Sequence, residues 1–115
     1  PTINTEGVYI LGNHEAEITW IEYSDLECPF CKKLHDSGVI GQVLENYDGK
    51  VNFIFKHFPL NFHANAQKEA EAAECAGELA GSETYYTYIN TIFERTRGNG
   101  TGFALTDLGP LAAEL

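Results

Sequence analysis

Residues Ile18–Lys32 read ITWIEYSDLECPFCK. Ile18–Tyr23 has the β-branched and aromatic composition of a strand. Its apolar residues fall on both parities, Ile18 and Trp20 against Ile21 and Tyr23, which suits a central strand covered on both faces. Glu22 is the exception inside it. The strand stops at Ser24-Asp25 and delivers Cys28-Pro29-Phe30-Cys31 into the start of a helix. Pro29 falls in the first turn, where its missing N–H would have had no partner. Two cysteines with two residues between them serve as a redox dithiol or as half of a zinc site.

Upstream, the short apolar run Val8–Leu11 ends at Gly12-Asn13 and reads as a strand and a turn. Downstream, a helix begins at Cys28 with Phe30, Leu34, Val39, Ile40, Val43, Leu44 and Tyr47 on its apolar side. Gly38 and Gly41 weaken its middle, so a kink or break is expected there before Asp48-Gly49 ends it. Val51–Phe58, VNFIFKHF, alternates as a third strand that Pro59 closes. Ala64–Ala80 follows as a helix with small residues at 66, 70, 73, 76, 77 and 80, then Gly81 as a stop and Ser82 as the next N-cap. Glu83–Arg97 carries a 3.6-period stripe of Tyr85, Tyr88, Ile89, Ile92, Phe93 and Thr96. Gly98–Gly102 is a loop, and Thr106 or Asp107 caps a last helix running to Leu115. The order is β-β-α-β-α-α-α. A strand–helix–strand unit around Cys28 is a right-handed crossover between parallel strands. The motif therefore lies at the carboxyl end of a strand, where open α/β sheets place their sites.

The 115 residues make one small domain, 43% hydrophobic, with no run long enough to span a membrane. Pro1–Asn4 lacks a charged-then-apolar layout, so no signal peptide is visible. Net charge is −10, 17 acids against 7 Lys and Arg, with no basic cluster; this argues against nucleic acid as a partner. Three cysteines leave Cys75 over, which points to a partner thiol elsewhere.

The thiolate is the reactive form of cysteine. At a helix N-terminus, unpaired N–H groups and the macrodipole favour an anion. Cys28 therefore reads as the exposed, attacking sulfur and Cys31, one turn on, as the more buried resolving one. Pro29 stiffens the turn, and Phe30 contributes neither charge nor imidazole. A metal site would need two more ligands, for which His35, His57, His63 and Cys75 are the candidates. No second close pair such as CxxC or HxxxH exists, so no metal and no cofactor is assigned. Glu22, six residues before Cys28, sits in an apolar strand, where a carboxylate needs a partner. Lys56, alone in the alternation of the next strand, is the expected one. Glu22 is then either a plain ion-pair residue or the group that exchanges a proton with Cys31 through water.

EYSDLECPFCKKLH followed by FIFKHFPLNFHANAQKEAEAAECAGE resembles the DsbA-like branch of the thioredoxin superfamily. The resemblance covers nearly the whole chain and implies an α/β thioredoxin-like fold with a helical insertion, here residues 63–115 of a single domain 1–115. It implies a thiol–disulfide oxidoreductase acting on protein thiols and disulfides, with a redox partner protein, in the periplasm or another extracytoplasmic space. The family's nucleophile falls on Cys28, its resolving cysteine on Cys31, its buried acid on Glu22 and that acid's partner on Lys56. Cys75 matches a helix cysteine that in several relatives pairs further downstream. The family completes its sheet with a hairpin preceded by a cis-proline. None of Pro1, Pro29, Pro59 and Pro110 precedes a strand, so the fold is expected to be incomplete at its C-terminal side, with homodimerisation through the open sheet as one outcome. Two other readings stay open from the residues: a binding or assembly module whose cysteines are structural, and a metal site built on the CxxC.

Overall fold

Alternation in the third apolar run places Phe53 and Phe55 on one face of a strand and Ile54 on the other, and all three are buried. The computed structural model describes residues 7–115; the stretch Pro1–Asn4 lies outside the described residues. The strands are β1 (Ile10–Gly12), β2 (Ile18–Ser24) and β3 (Val51–His57), in spatial order β1-β3-β2. β2 and β3 are parallel, as a crossover through a helix requires, and β1 is antiparallel to β3. β1 begins two residues later than the apolar run suggests and continues into Gly12, which pairs with Asn52 at φ +97°. A side chain is a poor fit at that torsion.

The helix after the motif is broken as expected, into α1 (Pro29–Asp36) and α2 (Val39–Asn46), by Gly38 at φ +79°. The later helices are α3 (Ala66–Ala80), α4 (Ser82–Arg95) and α5 (Leu108–Glu114), the last preceded by a 3-10 turn at Leu105–Asp107. Ser82 does not cap α4. The chain turns at Gly81, φ +92°, and Ser82 is already the first helical residue. A left-handed torsion between two helices is met by glycine without strain, and this moves the cap one residue earlier than the composition suggests.

The α4 stripe is the centre of the core. Tyr85, Tyr88, Ile89, Ile92 and Phe93 are all buried, with Phe53 and Phe55 of β3 and Ala73 and Ala76 of α3 packed around them. Each fully buried large apolar side chain contributes about 1.5–3 kcal/mol by removal from water. The tyrosine hydroxyls keep partners: Tyr86 donates to the carbonyl of Tyr9 at 2.7 Å, and Tyr88 to that of Leu108 at 2.7 Å. Gly77 lets Tyr9 lie against α3, for a Cβ there would stand 2.6 Å from the Tyr9 ring.

α1 is fixed to this core by Lys32. Its ammonium pairs with Asp36 at 2.9 Å and donates to the carbonyls of Phe93 and Glu94 at the end of α4. Those carbonyls belong to the last turn of a helix, where intrahelical donors run out.

Candidate functional site

Ser24, Asp25, Leu26 and Glu27, the residues joining β2 to the motif, are all buried. A turn of this polarity can be buried only if its groups are paired. Asp25 Oδ1 accepts from the Glu27 amide at 2.7 Å, and Oδ2 accepts from the Leu60 amide and meets His63 Nδ1, both at 2.8 Å. Glu27 Oε2 accepts from the Thr96 hydroxyl at 2.6 Å, and its Oε1 accepts from the Gly102 amide. Thr96 Oγ1 accepts in turn from the Gly98 amide at 3.0 Å. One turn is thus tied to the loop before α3 and to the loop after α4.

Cys28 is the N-cap residue of α1, extended at φ −79° and ψ 122°, and its carbonyl accepts the first helical bond, from Lys32, at 3.0 Å. Pro29 takes the first helical position and Phe30 points outward, 81% exposed. Cys28 and Cys31 are free thiols, both half-buried, and Cys75 is a free exposed thiol on α3. Cys28 is therefore less open than the exposed sulfur expected beside a more buried Cys31. Burial pushes the Cys31 thiol up, the Asp25 backbone and the Ser24 side chain act to lower it, and the neighbouring Cys28 raises it. The two thiols lie near one another and are not bonded.

The expected Glu22–Lys56 pair is not formed. The parallel register sets Glu22 beside Phe55 and Tyr23 beside Lys56. Partners in register share a face, so Glu22 and Lys56 lie on opposite faces of the sheet. Glu22 Oε2 instead meets His35 Nε2 at 2.8 Å, with the Glu22 side chain 10% and the His35 side chain 5% exposed. His35 Nδ1 lies 3.1 Å from Asn90 Oδ1, and its ring stacks on Phe93 with centroids 4.4 Å apart. Glu22 Oε1 is buried without a hydrogen-bond partner among the described residues. His35 stands four residues after Cys31 on α1, hence on the same side of the helix one turn up. Sequence reasoning considered His35 only as a metal ligand, although its spacing from Cys31 marks the role.

The metal candidates are dispersed. His35 serves Glu22, His63 serves Asp25, and His57 meets the Tyr85 hydroxyl at 2.9 Å. Among the described residues no group of three or more His, Cys, Asp or Glu is arranged to hold a metal ion. Sequence reasoning also passed over Asp25, Glu27 and Glu69. The signal for Glu69 was available: it falls between Ala66 and Ala73 on the small-residue side of α3, where a charge is out of place.

Residues 4–107 match a family model described as Thioredoxin. The chain belongs to the thioredoxin family. Its solved structural neighbours make it a DsbA-like member. DsbA2 of Pseudomonas aeruginosa is 28% identical, with a TM-score of 0.76 over 98% of this chain and 66% of that one. Alpha-DsbA1 of Wolbachia pipientis is 30% identical, with a TM-score of 0.71 over 99% of this chain and 55% of that one. Part of this thioredoxin-family chain is also similar to a Na(+)/H(+) antiporter NhaA 1 of Mycolicibacterium gilvum (strain PYR-GCK). That similarity is 35% identity over 75 residues, 64% of this chain and 12% of the antiporter. The chain thus spans about an eighth of that curated relative. Among the described residues no helix is long and apolar enough to cross a membrane.

Proposed function

We propose that the chain is a thiol–disulfide oxidoreductase acting on protein thiols and disulfides through Cys28 and Cys31. The observation that carries this reading is the pair of neighbouring free thiols at the N-cap and in the first turn of α1, on the end of a parallel strand. In the oxidising direction, a substrate thiolate attacks the Cys28 sulfur of the Cys28–Cys31 disulfide. A bond forms between substrate and Cys28, and the electron pair of the old bond leaves on Cys31, which takes a proton. A second substrate thiolate then displaces Cys28, leaving the substrate oxidised and the dithiol reduced. Run backwards, Cys31 loses its proton and attacks the mixed disulfide. Glu22 is the acceptor for that proton through water, held in place by His35 rather than by Lys56.

The exposed Phe30, inside the motif, supplies apolar surface beside the sulfurs for an unfolded substrate chain. An extracytoplasmic location fits a dithiol that must be re-oxidised by a separate redox partner protein. Cys75 serves as a structural thiol rather than as part of the dithiol. The readout is direct. Reduced Cys31→Ser should accumulate a stable mixed disulfide when offered a peptide disulfide, releasing one peptide thiol, and Cys28→Ser should accumulate none. Equal trapping by the two variants, or none by either, would refute the assignment.

A further inference from the structure

Glu69 has no place in the chemistry above, yet it is fully buried on α3 and neither carboxyl oxygen has a conventional donor among the described residues. After burial itself, the Glu27 carboxyl is the group that acts on it most strongly. Two ionised carboxylates are acceptors only and cannot bond to one another. Contact between them, away from water, requires a proton. Glu27 already receives the Thr96 hydroxyl and the Gly102 amide, so it is the acceptor, and Glu69, with no donor, carries the proton.

We propose that Glu27 and Glu69 hold one proton between their carboxyl groups, and that this shared proton positions the backbone entering Cys28. Glu27 is the residue immediately before the nucleophile. It is gripped by α3 through Glu69, by the end of α4 through Thr96, and by the following loop through Gly102. The charged and titratable groups around the pair favour the shared proton. Asp25, in the same turn, adds negative charge toward Glu69, while His63, from the loop before α3, engages Asp25. Tyr88 of α4, which feels the Glu69 charge, completes the surroundings. Burial first, then the Glu27 charge, push the Glu69 carboxyl up to about 9.

The role in positioning rests on the oxidoreductase reading, but the proton can be observed without it. In protein labelled with carboxyl-13C glutamate, the Glu69 resonance should stay in its protonated position at pH 7 and disappear in Glu69→Gln. An ordinary carboxylate resonance there overturns the proposal. The second measurement is the alkylation rate of Cys28 at pH 7 in a Cys31→Ser, Cys75→Ser background. Glu69→Gln keeps a donor for Glu27 and should react within about twofold of its parent. Glu69→Leu, which removes the donor and leaves the Glu27 charge less compensated behind the sulfur, should react about three- to tenfold more slowly. Equal rates in the Leu and Gln variants overturn the positioning role even if the shared proton is found. Where Glu69→Leu fails to fold, Thr96→Val, which removes a different donor to the same carboxylate, should give the slower rate in its place. A Cys28 that exchanges with no disulfide in any variant would instead sink the oxidoreductase reading and leave the carboxyl titration standing.

Discussion

His57 makes the protein acid-sensitive, and the size of the effect follows from where β3 ends. Its side chain is 10% exposed, its Nε2 meets the Tyr85 hydroxyl at 2.9 Å, and its Nδ1 is buried without a partner among the described residues. Burial lowers the imidazole from 6.5 to about 4. At neutral pH the ring is uncharged, so the 3.7 Å approach of Glu74 is not an ion pair there. In the unfolded chain the same ring protonates below pH 6.5. The unfolded state therefore binds more protons in the window between 6.5 and 4, and stability is full above it and lost as pH falls through it. At pH 4.5 the loss from this one group is about 2–3 kcal/mol, at ~1.36 kcal/mol per unit. Carboxylates titrate in the same range, so the measurement is a difference. Urea unfolding of the parent and of His57→Gln, followed by circular dichroism at pH 7.5 and 4.5, should show the parent losing about 2–3 kcal/mol more than the variant. The reasoning is refuted if the two proteins lose equal stability, or if the His57 imidazole titrates in the ordinary histidine range by NMR.

Asp25→Ala should destabilise by about 2–4 kcal/mol, because it strands the amides of Glu27 and Leu60 and the ring of His63; the urea midpoint at pH 7 reads it. Gly102→Ala should cost on the order of 1–3 kcal/mol. The added Cβ would lie 2.2 Å from the Gly98 nitrogen and 2.6 Å from Thr96 Oγ1, and a shift to relieve this breaks the bond to Glu27. A thermal melt checks the loss, which should be larger than that of Gly41→Ala, where a Cβ meets nothing within 4 Å. Glu22→Gln should fold normally and keep a hydrogen bond to His35, yet resolve a trapped mixed disulfide about 10- to 100-fold more slowly, as expected for loss of a positioned base. Stopped-flow release of the substrate thiol measures it, and an unchanged rate would remove Glu22 from the chemistry.

The architecture around the motif was legible because each signal is local. Gly38 sits where the helix breaks, Val51–His57 alternates as a strand does, and the α4 stripe recurs at the helical period. The partner of Glu22 was not legible for a different reason. Which residues of β2 and β3 face the same way depends on register, and a slip of one residue exchanges the faces. Composition marks Glu22 and Lys56 as the two charges of adjacent strands; only the pairing of Glu22 with Phe55 separates them. The buried polar turn was hidden similarly. Asp25 and Glu27 look like solvated loop acids until Leu60, His63, Thr96 and Gly102 arrive from segments 35 to 75 residues away.

Lys32 gives this arrangement a mechanical meaning. Its ammonium sits one residue past Cys31 and closes off the end of α4 by binding the carbonyls of Phe93 and Glu94. A substrate pulling on Cys28 through a mixed disulfide loads α1 along its axis, and that tension passes through Lys32, together with the His35 ring on Phe93, into the core helix α4. The motif is therefore braced from behind like a hook set in a beam: force applied at the sulfur is borne by the core, and the geometry at the reacting bond is kept under load.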